Sequence, residues 1–185
     1  MRLFVAVLLP EAVVEDLDDF LDVRRDSGAA LRWSPPAQWH VTLAFMADAP
    51  ERVVEDLVEG VAVVAARTAP IPLSLTGGGC FPDVSRARVL YAGVEGGDAL
   101  IPLAQGIRSA CAVAGGAPEG GPFRPHVTLA RLPRPADATR WVRVLDTHRS
   151  PSWTVEDVAV VASHVPRERG HRPRHEVLAR LPLGG

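Results

Sequence analysis

The pentapeptide His-Val-Thr-Leu-Ala occurs twice, at 40–44 and at 126–130. A strand-forming run spelled twice in 185 residues restricts the fold, because each copy has one apolar face to bury. In an extended strand, residues two apart share a face. Val41 and Leu43 therefore point into a core, as do Val127 and Leu129. His40 with Thr42, and His126 with Thr128, point the other way. Two related lobes, each lending one such strand to a shared cleft, are the economical arrangement.

The flanking sequence supports this. The run Leu3 to Leu9 is too short to span a membrane, and Pro10-Glu11 then opens an acidic helical pattern in place of a small-residue cleavage site. It reads as a first strand, and the protein is expected in the cytoplasm. Val13, Val14, Leu17, Phe20 and Leu21 keep a helical period from Pro10 to about Arg25, with Gly28 as its stop. Two extended runs, ALRW and QWHVTLAFM, follow with a tight connection at Ser34-Pro35-Pro36. Asp48 is expected to cap a second helix that carries Pro50 in its first turn and reaches about Arg67. The strands IPLSLTGGGCF and ARVLYAGV are joined around Pro82-Asp83, and Asp98 is expected to cap a third helix bearing Leu100, Leu103, Ile107 and Cys111. The loop GGAPEGGPFRP leads into the second pentapeptide, followed by a short helix near 136–146 and the strands WTVEDVAVVAS and HEVLARLPL.

Helices and strand pairs alternate here without the one-strand, one-helix rhythm of a doubly wound parallel sheet. The expected class is α+β: a single bilobed domain over 1–185, with two pseudo-symmetric lobes of antiparallel sheet, helices packed outside and a central cleft. The motifs H-x-T-x at 40–43 and 126–129 fall one to each lobe.

Composition removes several kinds of chemistry. All 20 basic residues are arginine, so there is no lysine for a phosphate-binding loop, a Schiff base or an adenylylated intermediate. A net charge of −2 offers no general basic field for duplex DNA. Cys80 and Cys111 lack metal-ligand spacing and are expected to be reduced and structural.

Two histidines with ordinary pKa near ~6.5 suit coupled acid and base work near neutral pH. One deprotonates an attacking water while the other protonates a departing ribose oxygen, and threonine hydroxyls donate to the non-bridging phosphoryl oxygens. A zinc site is the rival reading, but zinc wants a third protein ligand and neither strand offers a nearby Cys or carboxylate on its histidine face. His164, His171 and His175 lack finger spacing and read as surface or loop residues; His148 has no assigned role.

The segments HVTLAF at 40–45 and PFRPHVTLAR at 122–131 resemble the paired H-x-T-x motifs of the two-histidine phosphoesterases, in particular the bacterial RNA 2′,3′-cyclic phosphodiesterases earlier named 2′-5′ RNA ligases. The likeness extends over RLFVAVLLP, LRWSPPAQWHVTLAF, RVLYAGV and HEVLARLPL. It implies a bilobed α+β fold and opening of a terminal 2′,3′-cyclic phosphate to a 2′-phosphate without metal, nucleotide or other cofactor. By motif position His40 is the proton donor to the leaving 3′-oxygen and His126 the proton acceptor, although the near symmetry of the halves also allows the reverse. Thr42 and Thr128 hold the phosphate.

Arg131, the sixth residue of the second copy where the first has Phe45, resembles a phosphate-binding residue of the family. In a regular strand it faces away from His126; reaching the cleft requires a twist, a bulge or a strand end. Otherwise it is a surface arginine near Arg134. Where the family often has a tyrosine, at the start of the last strand, this chain has His175. Base stacking falls instead to Phe45 or Phe123, with Trp33 and Trp39 as further candidates. Ser163 and Arg167, Arg169 and Arg172 are placed to rim the cleft. The expected partners are RNA ends or nucleotides bearing a 2′,3′-cyclic phosphate, with no duplex DNA and no membrane, and the protein is expected to be a monomer. Two alternatives stand beside hydrolysis: ATP-independent 2′-5′ ligation by the reverse chemistry, and a non-catalytic module that binds RNA ends.

Overall fold

The computed structural model describes residues 1–26, 31–164, 166 and 173–185. The apolar opening run forms strand β1 (Arg2–Leu8). Leu3, Val5 and Val7 enter the main core, whereas Phe4 and Ala6 join Ala159 and Val161 in a small cluster on the opposite face. A strand apolar on both faces belongs inside a sheet, and β1 lies between two partners.

In chain order there follow α1 (Glu11–Asp22), β2 (Arg32–Trp33), β3 (His40–Met46), α2 (Val54–Ala66), β4 (Ile71–Phe81), β5 (Ala87–Glu95), α3 (Leu100–Val113), β6 (His126–Ala136), α4 (Thr139–Leu145), β7 (Trp153–Val155), β8 (Asp157–His164) and β9 (Arg174–Pro182). The strands make one antiparallel sheet in the order β7-β4-β5-β6-β3-β1-β8-β9, with β2 paired to β6. The class is α+β, as the alternation of elements implied.

Each long helix buries residues one helical turn apart: Val13, Leu17 and Leu21 on α1, Leu57, Val61 and Ala65 on α2, and Leu103, Ile107 and Cys111 on α3. Each leucine so placed contributes roughly 1.5–3 kcal/mol relative to exposure. The helices α2 and α3 pack together, α2 against β8 and β9 and α3 against β3, while α4 covers β4 and β5.

The unit β1-α1-β3-α2 is repeated as β5-α3-β6-α4. Where the two halves meet, the registered pair is Val41 opposite Val127. These are the same position of the two pentapeptides, and equivalent residues face each other across an antiparallel pair when a local twofold axis runs between them. The doubled sequence is thus the centre of the sheet.

Several boundaries differ from expectation. The runs ALRW and HVTLAFM are consecutive but not partners: Pro35 and the 3-10 turn Pro36–Gln38 carry the chain away, and β2 pairs with Arg131 and Ala130 of β6. Asp48 caps no helix; its carboxylate lies 3.5 Å from the Met1 ammonium, and the helical path begins as a 3-10 turn, Glu51–Val53, behind Pro50. Asp98 sits within the 3-10 turn Gly97–Ala99, entered through left-handed Gly96, and makes no capping hydrogen bond. The run WTVEDVAVVAS breaks at Glu156 into β7 and β8, which lie near opposite edges of the sheet. Helix α1 ends at Asp22; Gly28 lies outside the described residues. Cys80 and Cys111 are buried free thiols. No described helix is long and apolar enough to cross a membrane.

Candidate active site

The register at Val41 and Val127 sets His40 across from Thr128 and Thr42 across from His126, so each imidazole faces the hydroxyl of the other motif. The rings are held alike. Nδ1 of His40 is 2.7 Å from the carbonyl of Gln38, and Nδ1 of His126 is 2.6 Å from that of Arg124. A carbonyl only accepts, so Nδ1 carries the proton in both rings and Nε2 is left free to give or take one. In each case the carbonyl belongs to the residue two before the histidine, at the end of a proline-containing approach, Pro36-Ala-Gln-Trp-His40 and Pro122-Phe-Arg-Pro-His126.

Both strands then bulge at the same place. On β3, Thr42 pairs with Ala6 and Ala44 with Val5, which leaves Leu43 over. On β6, Thr128 pairs with Tyr91 and Ala130 with Leu90, which leaves Leu129 over. An extra residue resets the alternation, so Leu43 and Ala44 are both buried, as are Leu129 and Ala130. The sixth residues, Phe45 and Arg131, return to the cleft face. The arginine that regular parity turns away is therefore in the cleft. The carbonyls of the two motif leucines remain satisfied, Leu129 by the Ser34 amide at 2.8 Å and Leu43 by Nε of Arg108 at 3.2 Å.

The cleft has a volume of about 1260 Å³. His40, Thr42, His126, Thr128 and Arg131 all line it, together with Phe45 and Trp33. Three guanidinium groups reach it, those of Arg2, Arg32 and Arg131, and among the described residues no carboxylate does. Nor do those three arginines have an ion-pair partner among the described residues. In a chain of net charge −2 this concentrates positive charge where an anion can enter.

The two histidines have different neighbours. His40 stacks on Phe4 at 4.5 Å between ring centroids, and His175 stands edge-on to it at 5.7 Å. Burial pushes the His40 pKa down to about 4, against the raising effect of the Gln38 carbonyl, and the charges of His175 and His126 lower it further. His126 lies beside Phe81 and Tyr91, at 4.9 Å and 5.3 Å. Burial lowers its pKa too, the Arg124 carbonyl opposes, and the cation of Arg131 adds to the lowering. With its free Nε2 atoms, hydroxyls and guanidiniums around one cavity, the arrangement can move two protons about a bound phosphoryl group.

The stacking candidates separate. Phe45 lines the cleft beneath the Arg2 guanidinium, 5.5 Å from its ring centroid. Phe123 lines an adjoining cavity of about 370 Å³, under Arg108 at 5.7 Å, and that cavity shares Thr42, Phe45 and His126 with the cleft. Trp33 borders the cleft, while Trp39 is buried in the core and presents no face. Ser163 lines the cleft. Arg167, Arg169, His171 and Arg172 lie outside the described residues.

Of the tail histidines, His164 is exposed and paired with Glu176 at 2.8 Å. His175 is not a surface residue: its register opposite Ser163 on β8 carries it into the cleft beside Phe4. His148 is buried, 2.8 Å from Asp16, and joins α1 to the turn after α4. Sequence reading missed Arg2, Phe4 and Arg32 as cleft residues. The alternation Arg2, Phe4, Ala6 along β1 was the available signal, hidden because the opposite face is equally apolar.

Comparison with known proteins agrees with this architecture. The family model of the 2′-5′ RNA ligase superfamily matches residues 10–167. An RNA 2′,3′-cyclic phosphodiesterase of Thermus thermophilus is 34% identical over 194 residues, covering 100% of this chain and 91% of that protein. One of Geobacillus stearothermophilus is 29% identical over 98% of this chain, which spans only 57% of that relative's length. Among solved structures, TT0787 of Thermus thermophilus superposes with a TM-score of 0.79 at 33% identity, covering 100% of this chain and 99% of that one. Escherichia coli LigT in its apo form gives 0.79 at 26% identity, covering 100% and 98%. With its doubled motif at the centre of an antiparallel sheet and a family match over most of its length, the chain belongs to the 2′-5′ RNA ligase superfamily.

Proposed function

We propose that this protein hydrolyses 2′,3′-cyclic phosphate ends of RNA to 2′-phosphomonoesters by acid–base catalysis between His40 and His126. The observation that carries the reading is the cleft itself, where two imidazoles present free Nε2 atoms among three arginines with no carboxylate among the described lining residues. The names of the relatives point to the same substrate.

In the proposed reaction Nε2 of His126 takes a proton from water as the water oxygen bonds to phosphorus. The bond from phosphorus to the 3′-oxygen breaks, and Nε2 of His40 gives that oxygen its proton. Thr42 and Thr128 donate to the non-bridging oxygens, and Arg131 neutralises their charge. One water is added, and proton exchange with solvent resets the pair. Phe45 and Phe123 offer ring faces for a base. The protein is read as a cytoplasmic monomer acting on RNA ends.

A second reading replaces water by a ribose 5′-hydroxyl, giving a 2′-5′ linkage; the cavity beside Phe123, which shares Thr42 and His126 with the cleft, favours it as a place for the incoming nucleoside. The test is incubation of an oligonucleotide ending in a 2′,3′-cyclic phosphate with chelator and without ATP, with and without a 5′-hydroxyl acceptor. A 2′-phosphate product is expected, and His40→Ala and His126→Ala are each expected to lower kcat by roughly 10²–10⁴-fold. No turnover by the wild type, or full activity of either variant, overturns the mechanism.

A further inference from the structure

Beyond the cleft, a groove of about 580 Å³ runs along α4, lined by Arg24, Asp137, Thr139, Arg140, Arg143 and Thr147, with Val144 between. Arg140 and Arg143 are exposed, and neither has an ion-pair partner among the described residues. Three apart on a helix, they project from one side. The one carboxylate lining the groove, Asp137, accepts from the Thr139 amide and hydroxyl, both at 3.1 Å, and makes no ion pair with either arginine. Two cations without ion-pair partners among the described residues thus stand along a trough lined by a single carboxylate, so that the lining as a whole is basic.

The groove is tied to the cleft. Trp33 lines the cleft and meets Trp141 of α4 edge-on at 5.0 Å, and Trp141 lies between Arg140 and Arg143 in the chain. The turn that follows α1 spans both: Arg25 sits over the Trp33 ring at 5.6 Å and its neighbour Arg24 lines the groove. Arg25 is itself bound to Asp18 and Asp22, whereas Arg140 and Arg143 on α4 have no ion-pair partner among the described residues. Strand β6 makes the same link, carrying Arg131 in the cleft and running on to α4.

We infer that this groove holds the phosphodiester backbone upstream of the cyclic phosphate, so that the preferred substrate is an oligonucleotide and not a mononucleotide. The inference rests on the proposed hydrolysis for what occupies the cleft, but the groove is read by binding. The experiment measures fluorescence anisotropy of a 5′-labelled RNA octamer ending in a 2′-phosphate, titrated at several salt concentrations, for the wild type and R140E/R143E, with R140Q/R143Q as the milder pair. Turnover of a 2′,3′-cyclic mononucleotide is followed in parallel.

Both double variants are expected to bind the octamer more weakly, R140E/R143E by about tenfold. The slope of log Kd against log salt should become shallower by about 0.7 for each phosphate of the single strand that is no longer neutralised. Mononucleotide turnover should be unchanged. An octamer Kd and salt slope equal to wild type overturn the proposal, and so does a parallel loss of mononucleotide turnover. A wild type that binds the octamer through these arginines but turns over no cyclic phosphate supports the groove and overturns the hydrolase reading.

Discussion

The depressed histidine pKa values lead to a specific pH behaviour. His40 is held at about 4 instead of the ordinary 6.5. At pH 6.5 about 0.3% of it is protonated in the empty cleft, a penalty of roughly 3 kcal/mol at ~1.36 kcal/mol per pKa unit. A cyclic phosphodiester brings one negative charge across the whole working range. At about 4 Å and an effective dielectric near 20, that charge is worth about 4 kcal/mol to an imidazolium. The anion thus offsets the burial penalty, and the proton that His40 is proposed to donate arrives with the substrate.

Two profiles separate these states, since kcat/KM reports the ionisations of the free enzyme and kcat those of the complex. Burial lowers both histidines, and Arg131 lowers His126 further. Both limbs of kcat/KM are therefore expected below pH 6.5, with a maximum on the acid side. The kcat maximum is expected about one to three pH units higher, the span that a phosphate charge of this size can restore. The assay is steady-state hydrolysis of a 2′,3′-cyclic nucleotide at constant ionic strength from pH 4 to 9. Superimposed profiles, or a kcat/KM maximum at or above pH 7, refute the reasoning.

Arg131→Gln removes one cation from the cleft and is expected to lower kcat/KM by roughly 10- to 150-fold, the range of a charge-assisted hydrogen bond worth about 1.5–3 kcal/mol. It should also move one limb of the profile to higher pH, because the Arg131 charge lowers the pKa of His126; an unmoved profile in steady-state kinetics counts against that contact. Gly79→Ala drives a Cβ into Oη of Tyr91, a ring stacked on Phe81 and 5.3 Å from His126. A loss of about 1–3 kcal/mol in urea unfolding is expected, and Tyr91→Ala in the same background should recover part of it.

The alternation in the pentapeptides was enough to identify the faces of β3 and β6, because side-chain direction depends only on local backbone. Strand partners depend on what the chain does between strands. Nothing in ALRW says that Arg32 and Trp33 pair with Arg131 and Ala130 instead of with the next strand, or that Glu156 divides one apolar run between the two halves of the sheet. His175 was hidden for the same reason: its side follows from its register opposite Ser163, a long-range property. The displaced helix starts have a local cause. Pro50 and Gly96 set the entry geometry, so neither Asp48 nor Asp98 supplies a side-chain cap.

The bulges, by contrast, leave a trace that regular-strand parity overlooks. After His, Val, Thr and Leu, the fifth residue falls on the polar phase and yet is alanine in both copies, where the extra residue turns it into the core. That symmetric device delivers unlike sixth residues to the cleft, and the difference suits a reaction that needs unlike partners. A base must be neutral when water arrives, and burial, with the cation of Arg131 adding to it, favours the neutral form of His126. A donor needs its proton only once phosphate is bound, and burial against Phe4 makes protonation of His40 depend on that anion. Burial is thus the main cause of the lowering in both rings, and the arginine adds to it at His126 alone. On this argument the proposed donor and acceptor are distinguished by their neighbours, although the motif that carries them is the same.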